Sequence, residues 1–350
     1  VGRYLVTGSS GHLGEGLART LVGQGHEVVG LDVLPGGFTT VVGSIVDAAT
    51  VRSAVAGVEH VLHTATLHKP HVGSHSRQEF VDVNVTGTLN VLEAAAAAGV
   101  SSVVFTSSTS TFGRAMTPAP GEPATWINED VMPRVKNIYG ATKVAAEDLC
   151  ELAARDQGLP VVVLRTSRFF PEADDRDDVR ASFIDTNLKV NEFLYRRVEL
   201  SDVVRAHLLA AEKAPELGFR RYVISAPTPF TRADLPELAV DAAAVVRRLF
   251  PQVMERYDAA GWSMFPVLDR VYDSSRAQDE LGWVPEYGFA RVAEQALETG
   301  EWRGELARSI GLKGYHPSPT GVYTAGREPL PGFDNRLCCG DFCIPPKTLL

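Results

Sequence analysis

Tyr139 and Lys143 stand four residues apart in the run Tyr139-Gly140-Ala141-Thr142-Lys143. On a helix that spacing puts both side chains on one face. An ammonium beside a phenol stabilises the phenolate and draws the tyrosine pKa down from about 10. Such a tyrosine can take or give the proton of a carbinol or carbonyl while a hydride moves. The same lysine can hold a ribose. A second set of polar groups lies in Phe105-Thr106-Ser107-Ser108-Thr109-Ser110-Thr111-Phe112-Gly113. Hydroxyls at the carboxyl end of a central parallel strand face a ligand crevice, where one can bind and polarise a substrate oxygen. Tyrosine and lysine at this spacing also occur as plain surface pairs, and single serines as turn caps, so the pattern needs a partner.

The partner is the stretch Thr7-Gly8-Ser9-Ser10-Gly11-His12-Leu13-Gly14. The apolar run Tyr4-Leu5-Val6 enters it, and a helical pattern of Leu13, Leu17, Leu21 and Val22 leaves it. That order is strand, tight turn, helix. Backbone N–H groups at such a helix start carry the positive end of its dipole and suit a pyrophosphate. Gly8, Gly11 and Gly14 keep side chains out of the way, and His12 and Leu13 complete the expected cofactor loop. Asp32 ends the second apolar run, Gly25–Asp32. A carboxylate there can accept both ribose hydroxyls of an adenosine and would repel a 2′-phosphate. Val33, Leu34 and Pro35 follow it, with no arginine. The expected cofactor is therefore NAD rather than NADP, the alternative being a plain strand-end acid.

The elements that must position these groups alternate. Strands are expected at Thr40–Gly43, Val58–Thr64, Ser102–Ser107 and Pro160–Thr166, with helices over about 47–56, 78–99 and 139–156. Apolar strands without polar alternation, separated by helices, imply a parallel sheet covered on both faces. The expected fold is α/β, a doubly wound parallel (Rossmann) sheet with a smaller, mostly helical C-terminal substrate region. Residues 1–167 form the dinucleotide-binding part, with returns at about 198–226. Residues 168–197 and 227–310 form the substrate-binding part, with helices at 201–214, 276–281 and 290–299. The acids Glu172, Asp174, Asp175, Asp177 and Asp178 read as a solvated loop. Residues 311–350, rich in glycine and proline, read as an irregular tail.

Composition removes several classes. The 350 residues carry 34 Lys plus Arg against 43 Asp plus Glu, a net charge of −9, so no basic nucleic-acid footprint is visible. No apolar run reaches the roughly 18 residues of a membrane span. Residues 1–25 lack the basic start and short apolar core of a signal peptide. Cys150 reads as a core thiol, and Cys338, Cys339 and Cys343 lack paired zinc spacing. A cytoplasmic setting fits these cysteines. His60, His63, His68, His71 and His75 cluster in sequence, but His60 and His63 fall on opposite strand faces. No metal site is expected; a loop histidine beside the substrate stays open.

In these residues the chain resembles the extended short-chain dehydrogenase/reductase family, its NAD-dependent epimerase/dehydratase group. The likeness runs over roughly residues 2–300. It is carried by Thr7–Gly14, Asp32, His63-Thr64-Ala65, Asn84–Thr88, Ser107-Ser108 with Phe112-Gly113, Tyr139–Lys143, Leu200–Ala211 and Ser274–Pro285. The resemblance implies that Tyr139 is the general acid/base, Lys143 its activator and ribose ligand, and Ser108 the hydroxyl beside the substrate oxygen. It implies cofactor roles for Gly8, Gly11, Gly14, Asp32 and Ala65, a framework role for Asn84, and a nicotinamide pocket lined by Ser167–Phe170. It also implies a homodimer through the helices at 78–99 and 139–156.

Four departures bear on the substrate. Gly43-Ser44-Ile45 stands where the family often has Gly-Asp-Ile, so Ser44 and Ile45 would meet the adenine with a weaker bond. Phe112 replaces a commoner tyrosine. Thr109 and Ser110 stand where sugar dehydratases carry an Asp-Glu pair, which argues against 4,6-dehydration. Only Asn187, Lys189, Asn191, Arg196 and Arg197 offer themselves as a uridine-binding run. The expected function is NAD-dependent hydride transfer at a carbinol or keto carbon of a sugar or sugar nucleotide, as an epimerase-like oxidoreductase on a small-molecule substrate. A simple dehydrogenase or reductase of a small hydroxy compound is the alternative, and a catalytically silent nucleotide-binding protein a third reading.

Overall fold

Seven strands run parallel in the computed structural model, which describes residues 1–173 and 177–313. They are β1 (Arg3–Thr7), β2 (Glu27–Asp32), β3 (Val41–Val42), β4 (His60–His63), β5 (Ser102–Ser108), β7 (Val161–Thr166) and β8 (Phe219–Ile224), in the spatial order β3-β2-β1-β4-β5-β7-β8. Two further strands, β6 (Thr125–Ile127) and β9 (Arg270–Tyr272), pair in parallel beside the sheet. The unbroken apolar runs have a direct cause: neighbouring residues point to opposite faces, and both faces are buried. Val6, Leu62, Val104 and Leu164 pack on α1 (His12–Gly23) and α8 (Leu200–Leu217). Leu5, Val61, Val103 and Val163 pack against α2 (Ala48–Val55), α4 (Gly87–Ala98) and α5 (Ile138–Gln157).

The helix expected over 78–99 is interrupted. A short α3 (Arg77–Val81) leads into a π turn, Asp82–Thr86, before α4 begins. Asn84 sits in that turn, accepts from Leu67 N at 2.8 Å and donates to Leu67 O at 2.8 Å. It thus ties the loop after β4 to the helix layer. Asn137 caps α5 by accepting from Gly140 N at 3.0 Å, which fixes where the helix carrying Tyr139 and Lys143 starts.

A second core lies C-terminal. It joins α7 (Asp185–Glu192), α9 (Leu235–Leu249), α10 (Pro251–Ala260) and α12 (Phe289–Thr299) around Leu238, Val245, Tyr257, Phe289 and Trp302. In α12 the buried Phe289, Val292, Ala293 and Ala296 repeat with helical period. Two short helices, α6 (Asp177–Ser182) and α13 (Glu305–Ile310), and the helix α11 (Ser275–Leu281) complete the set. At the start of α11 the N-cap residue Ser274 makes no side-chain cap bond, and the Asp273 carboxylate accepts from Ser275 N at 3.0 Å. Asp174, Asp175 and the cysteines 338, 339 and 343 lie outside the described residues. Among those described, no helix is long and apolar enough to cross a membrane.

Candidate active site

A cavity of about 860 Å³ opens at the carboxyl ends of the central strands, where the chain order reverses between β1 and β4. The glycine loop forms its floor. Gly8 has a φ of +74°, and a Cβ there would lie 2.7 Å from Thr64 Oγ1. A Cβ on Gly14 would come within 1.9 Å of the Gly8 carbonyl oxygen, so the start of α1 lies on the turn itself. Gly11, His12 and Leu13 also line the cavity. Asp32 stands at the rim. Its carboxylate accepts from Ser10 N at 3.0 Å and Leu34 N at 2.9 Å, which holds it in place with lone pairs to spare. Ser44, Ile45 and Ala65 line the same end. Ser44 Oγ accepts from Val46 N at 3.1 Å and so shapes its own turn.

Ser108, Tyr139 and Thr166–Phe170 line the opposite end. Tyr139 is buried, and Ser108 hydrogen-bonds its side chain. Burial pushes the phenol up to about 12, the Ser108 bond pulling the other way. This differs from the expectation that Lys143 lowers it. The reason is geometric: Lys143 Nζ donates to Thr106 O at 2.6 Å and lies 4.2 Å from the Phe105 ring centroid. The ammonium points at the end of β5, beneath the site. Burial draws that lysine down to about 7, against the pull of Glu147. Glu147 in turn holds Arg165 at 2.7 Å and accepts from Ser107 Oγ at 2.5 Å.

The histidines do different work. His60 bonds Ser102 at 2.8 Å, and His63 lies between Thr7 and Thr88 at 2.7 and 3.0 Å. His68, His71 and His75 line the cavity and stack edge-on, with centroids 4.6 and 5.0 Å apart. Among the described residues no group of His, Cys, Asp or Glu is arranged to hold a metal ion.

Glu172 is not the solvated acid expected: it is buried, and His12 Nε2 lies 2.7 Å from its Oε1. Lys189 donates to its backbone carbonyl at 2.5 Å. Of the five uridine candidates only Arg196 lines the cavity. Asn187 and Asn191 instead hold the backbone of Ser263, and Arg197 is fully buried on Glu192. Arg270, at the start of β9, also lines the cavity. It lies 102 residues beyond Arg168 in sequence, and no local motif marks it.

Fold and site together define a doubly wound dinucleotide-binding fold with Ser108 and Tyr139 lining the same cavity as the glycine loop. Residues 4–225 match the NAD dependent epimerase/dehydratase family, and the chain belongs to that family. It is 34% identical over 187 residues to a 3-beta-hydroxysteroid dehydrogenase of Mycolicibacterium neoaurum, covering 50% of this chain and 49% of that one. It is 26% identical over 329 residues to the UDP-glucose 4-epimerase of Streptomyces lividans, covering 85% and 95% of the two chains. Among solved structures, a short-chain dehydrogenase/reductase superfamily protein of Agrobacterium tumefaciens with bound NAD superposes with a TM-score of 0.61 at 24% identity, over 85% of this chain and 96% of that one. The family's cofactor is NAD, and the residues here fit it: a tight turn at Gly8 and Gly14 that leaves no room for a Cβ, so that the backbone itself faces the cavity, and a fixed carboxylate at the ribose end.

Proposed function

We propose that the chain is an NAD-dependent oxidoreductase that transfers a hydride at a carbinol or keto carbon of a small polar substrate. One observation carries this: Ser108 and Tyr139 line the same cavity as the glycine loop and Asp32, at its other end. Gly8, Gly11, Gly14 and the first turn of α1 would hold the pyrophosphate and Asp32 the adenosine ribose, while Lys143, turned to Thr106 O in the free protein, would have to swing toward the cavity to reach the nicotinamide ribose. NAD, when bound, supplies the hydride acceptor or donor. Ser108 hydrogen-bonds the reacting oxygen. Tyr139, its proton held firmly in the free protein, gives that proton to a ketone oxygen in the reductive direction; in the oxidative direction it takes the carbinol proton only after losing its own as phenolate. Burial of Tyr139 and Lys143 keeps water from the exchange.

The reading as a simple dehydrogenase or reductase is favoured over sugar-nucleotide epimerisation by the fate of the uridine candidates, four of which are spent on internal contacts. Thr109 and Ser110, both at the cavity, offer no acid for dehydration. A homodimer through α4 and α5, whose Leu89 and Leu152 are exposed, and a cytoplasmic setting belong to the same proposal. The test is a screen of the purified chain with NAD against free hexoses, hydroxy acids and nucleotide sugars, following both nicotinamide absorbance and product identity. Net NADH marks a dehydrogenase, and an inverted sugar without net NADH an epimerase. Failure to bind NAD in a fluorescence titration overturns the reading.

A further inference from the structure

We propose that Arg168, Arg196 and Arg270 build an anion subsite at the substrate end of the cavity. The substrate is then a compact hydroxy or keto compound with a carboxylate or phosphate near its reacting carbon, and without a nucleotide. The inference rests on the hydride-transfer reading above and names its substrate class.

Three arginines from separate stretches line the cavity, linked to one another through Glu192 and the Tyr195 ring. Arg168 follows β7, Arg196 precedes α8, and Arg270 opens β9. The first two are locked by backbone: Arg168 N donates to Arg196 O at 3.0 Å, and Val198 N to Arg168 O at 3.0 Å. Each guanidinium is braced by a carboxylate. Arg196 Nη2 meets Glu192 Oε1 at 2.6 Å, and Arg168 Nη1 meets the same oxygen at 3.6 Å. Arg270 Nη1 donates to both oxygens of Asp269 at 2.7 and 2.8 Å, and its Nε to Tyr272 Oη at 3.2 Å. Among the described residues no protein atom accepts from Arg270 Nη2. The Tyr195 ring lies between Arg196 and Arg270, 5.2 and 5.1 Å from their guanidinium carbons. Glu192 is fully buried and held by Arg197 at 2.7 Å, so it braces the wall from behind.

Planar forks fixed in advance suit carboxylate and phosphate oxygens, because little side-chain freedom is left to lose on binding. A neutral, wholly apolar skeleton pressed on this wall would strip water from the guanidiniums and return no hydrogen bond. The occupant must also be short. The same cavity of about 860 Å³ has to hold the dinucleotide, and pockets of roughly 300–1,000 Å³ suit one drug-sized ligand.

The test is calorimetry on the full chain, with and without NAD, using D-glucose, D-glucuronate, glucose 6-phosphate and UDP-glucose as probes. D-glucuronate or glucose 6-phosphate is expected to bind at least about tenfold more tightly than D-glucose, a difference of about 1.4 kcal/mol. The two arms separate carboxylate from phosphate. That margin is expected to shrink with added salt and to fall about tenfold in Arg270→Gln, with NAD affinity unchanged. The salt series on the unaltered chain stands if the variant fails to fold. Anions that bind no better than D-glucose, or UDP-glucose binding more tightly than both compact anions, overturn the proposal. A chain that binds no NAD overturns the hydride-transfer reading instead, and the NAD-free titrations still read the wall.

Discussion

His12 Nε2 lies 2.7 Å from Glu172 Oε1, joining the first turn of α1 to the segment that leaves β7. Burial alone would push the Glu172 carboxyl up, but His12 beside it holds it below the ordinary carboxylate value. A carboxylate lowered on folding stabilises the fold above its unfolded pKa and loses that contribution as pH falls through the folded value. The pair also reaches the far end of the described chain, since Lys313 N donates to Glu172 at 3.4 Å and Lys313 Nζ pairs with Glu15.

Removing one member leaves the other buried. Glu172→Ala is expected to destabilise the chain by about 3–5 kcal/mol, the range for a broken buried pair. His12→Ala should cost less, and the double variant less than the sum of the two. Urea unfolding of all four chains measures this coupling. Strictly additive effects would show that the pair is a contact without energetic consequence. Because His12 heads the cofactor loop, Glu172→Ala is also expected to weaken NAD in a fluorescence titration.

Lys143 makes a pH-dependent prediction of the same sign in a higher window. Its amine is drawn down to about 7, against about 10.4 in an unfolded chain. Between these values the unfolded state binds the extra proton, so stability rises with pH across that window. Lys143→Met should flatten this part of the curve. Melting temperatures of both chains from pH 7 to pH 9, compared as a difference, supply the measurement. Parallel curves would show that the lysine keeps its charge in the folded chain.

Tyr139→Phe isolates the proton transfer. The side chain is buried and the phenyl ring keeps its packing, so fold and cofactor loop should be untouched. The expected loss is about 10²–10⁴ in turnover, the usual share of a general acid or base. It should be read on whichever substrate the screen returns, with NAD affinity unchanged. Full turnover in this variant would move the proton to another group.

The cofactor end was legible because it is local. The Gly8–Gly14 loop, the apolar β1 and Asp32 lie within 30 residues, and each conformational demand shows as a residue type. The parallel sheet was legible because burial on both faces leaves unbroken apolar runs. What stayed hidden is non-local. β6 and β9 have three residues each and are strands only because they find one another across the chain. The Arg168–Arg196–Arg270 wall exists only after folding brings three stretches together. Glu172 reads as one acid among several until His12, 160 positions away, is beside it. The break in the helix over 78–99 comes from Asn84, whose amide binds Leu67, a contact with no helical periodicity to announce it.

Asp32 should set the choice between NAD and NADP. Its oxygens accept from Ser10 N and Leu34 N, so the carboxylate is anchored before any ribose arrives. A 2′-phosphate placed there would meet a fixed negative charge. Asp32→Ala removes the repulsion together with the hydroxyl acceptor. NAD affinity is therefore expected to fall and NADP affinity to rise, bringing the two close together. Paired fluorescence titrations of the parent and the variant decide it. Equal binding of both cofactors by the parent chain would remove Asp32 as the discriminating residue. An unchanged NAD preference in the variant would place the discrimination elsewhere on the rim, with Val33, Leu34 and Ser44 the next residues to alter.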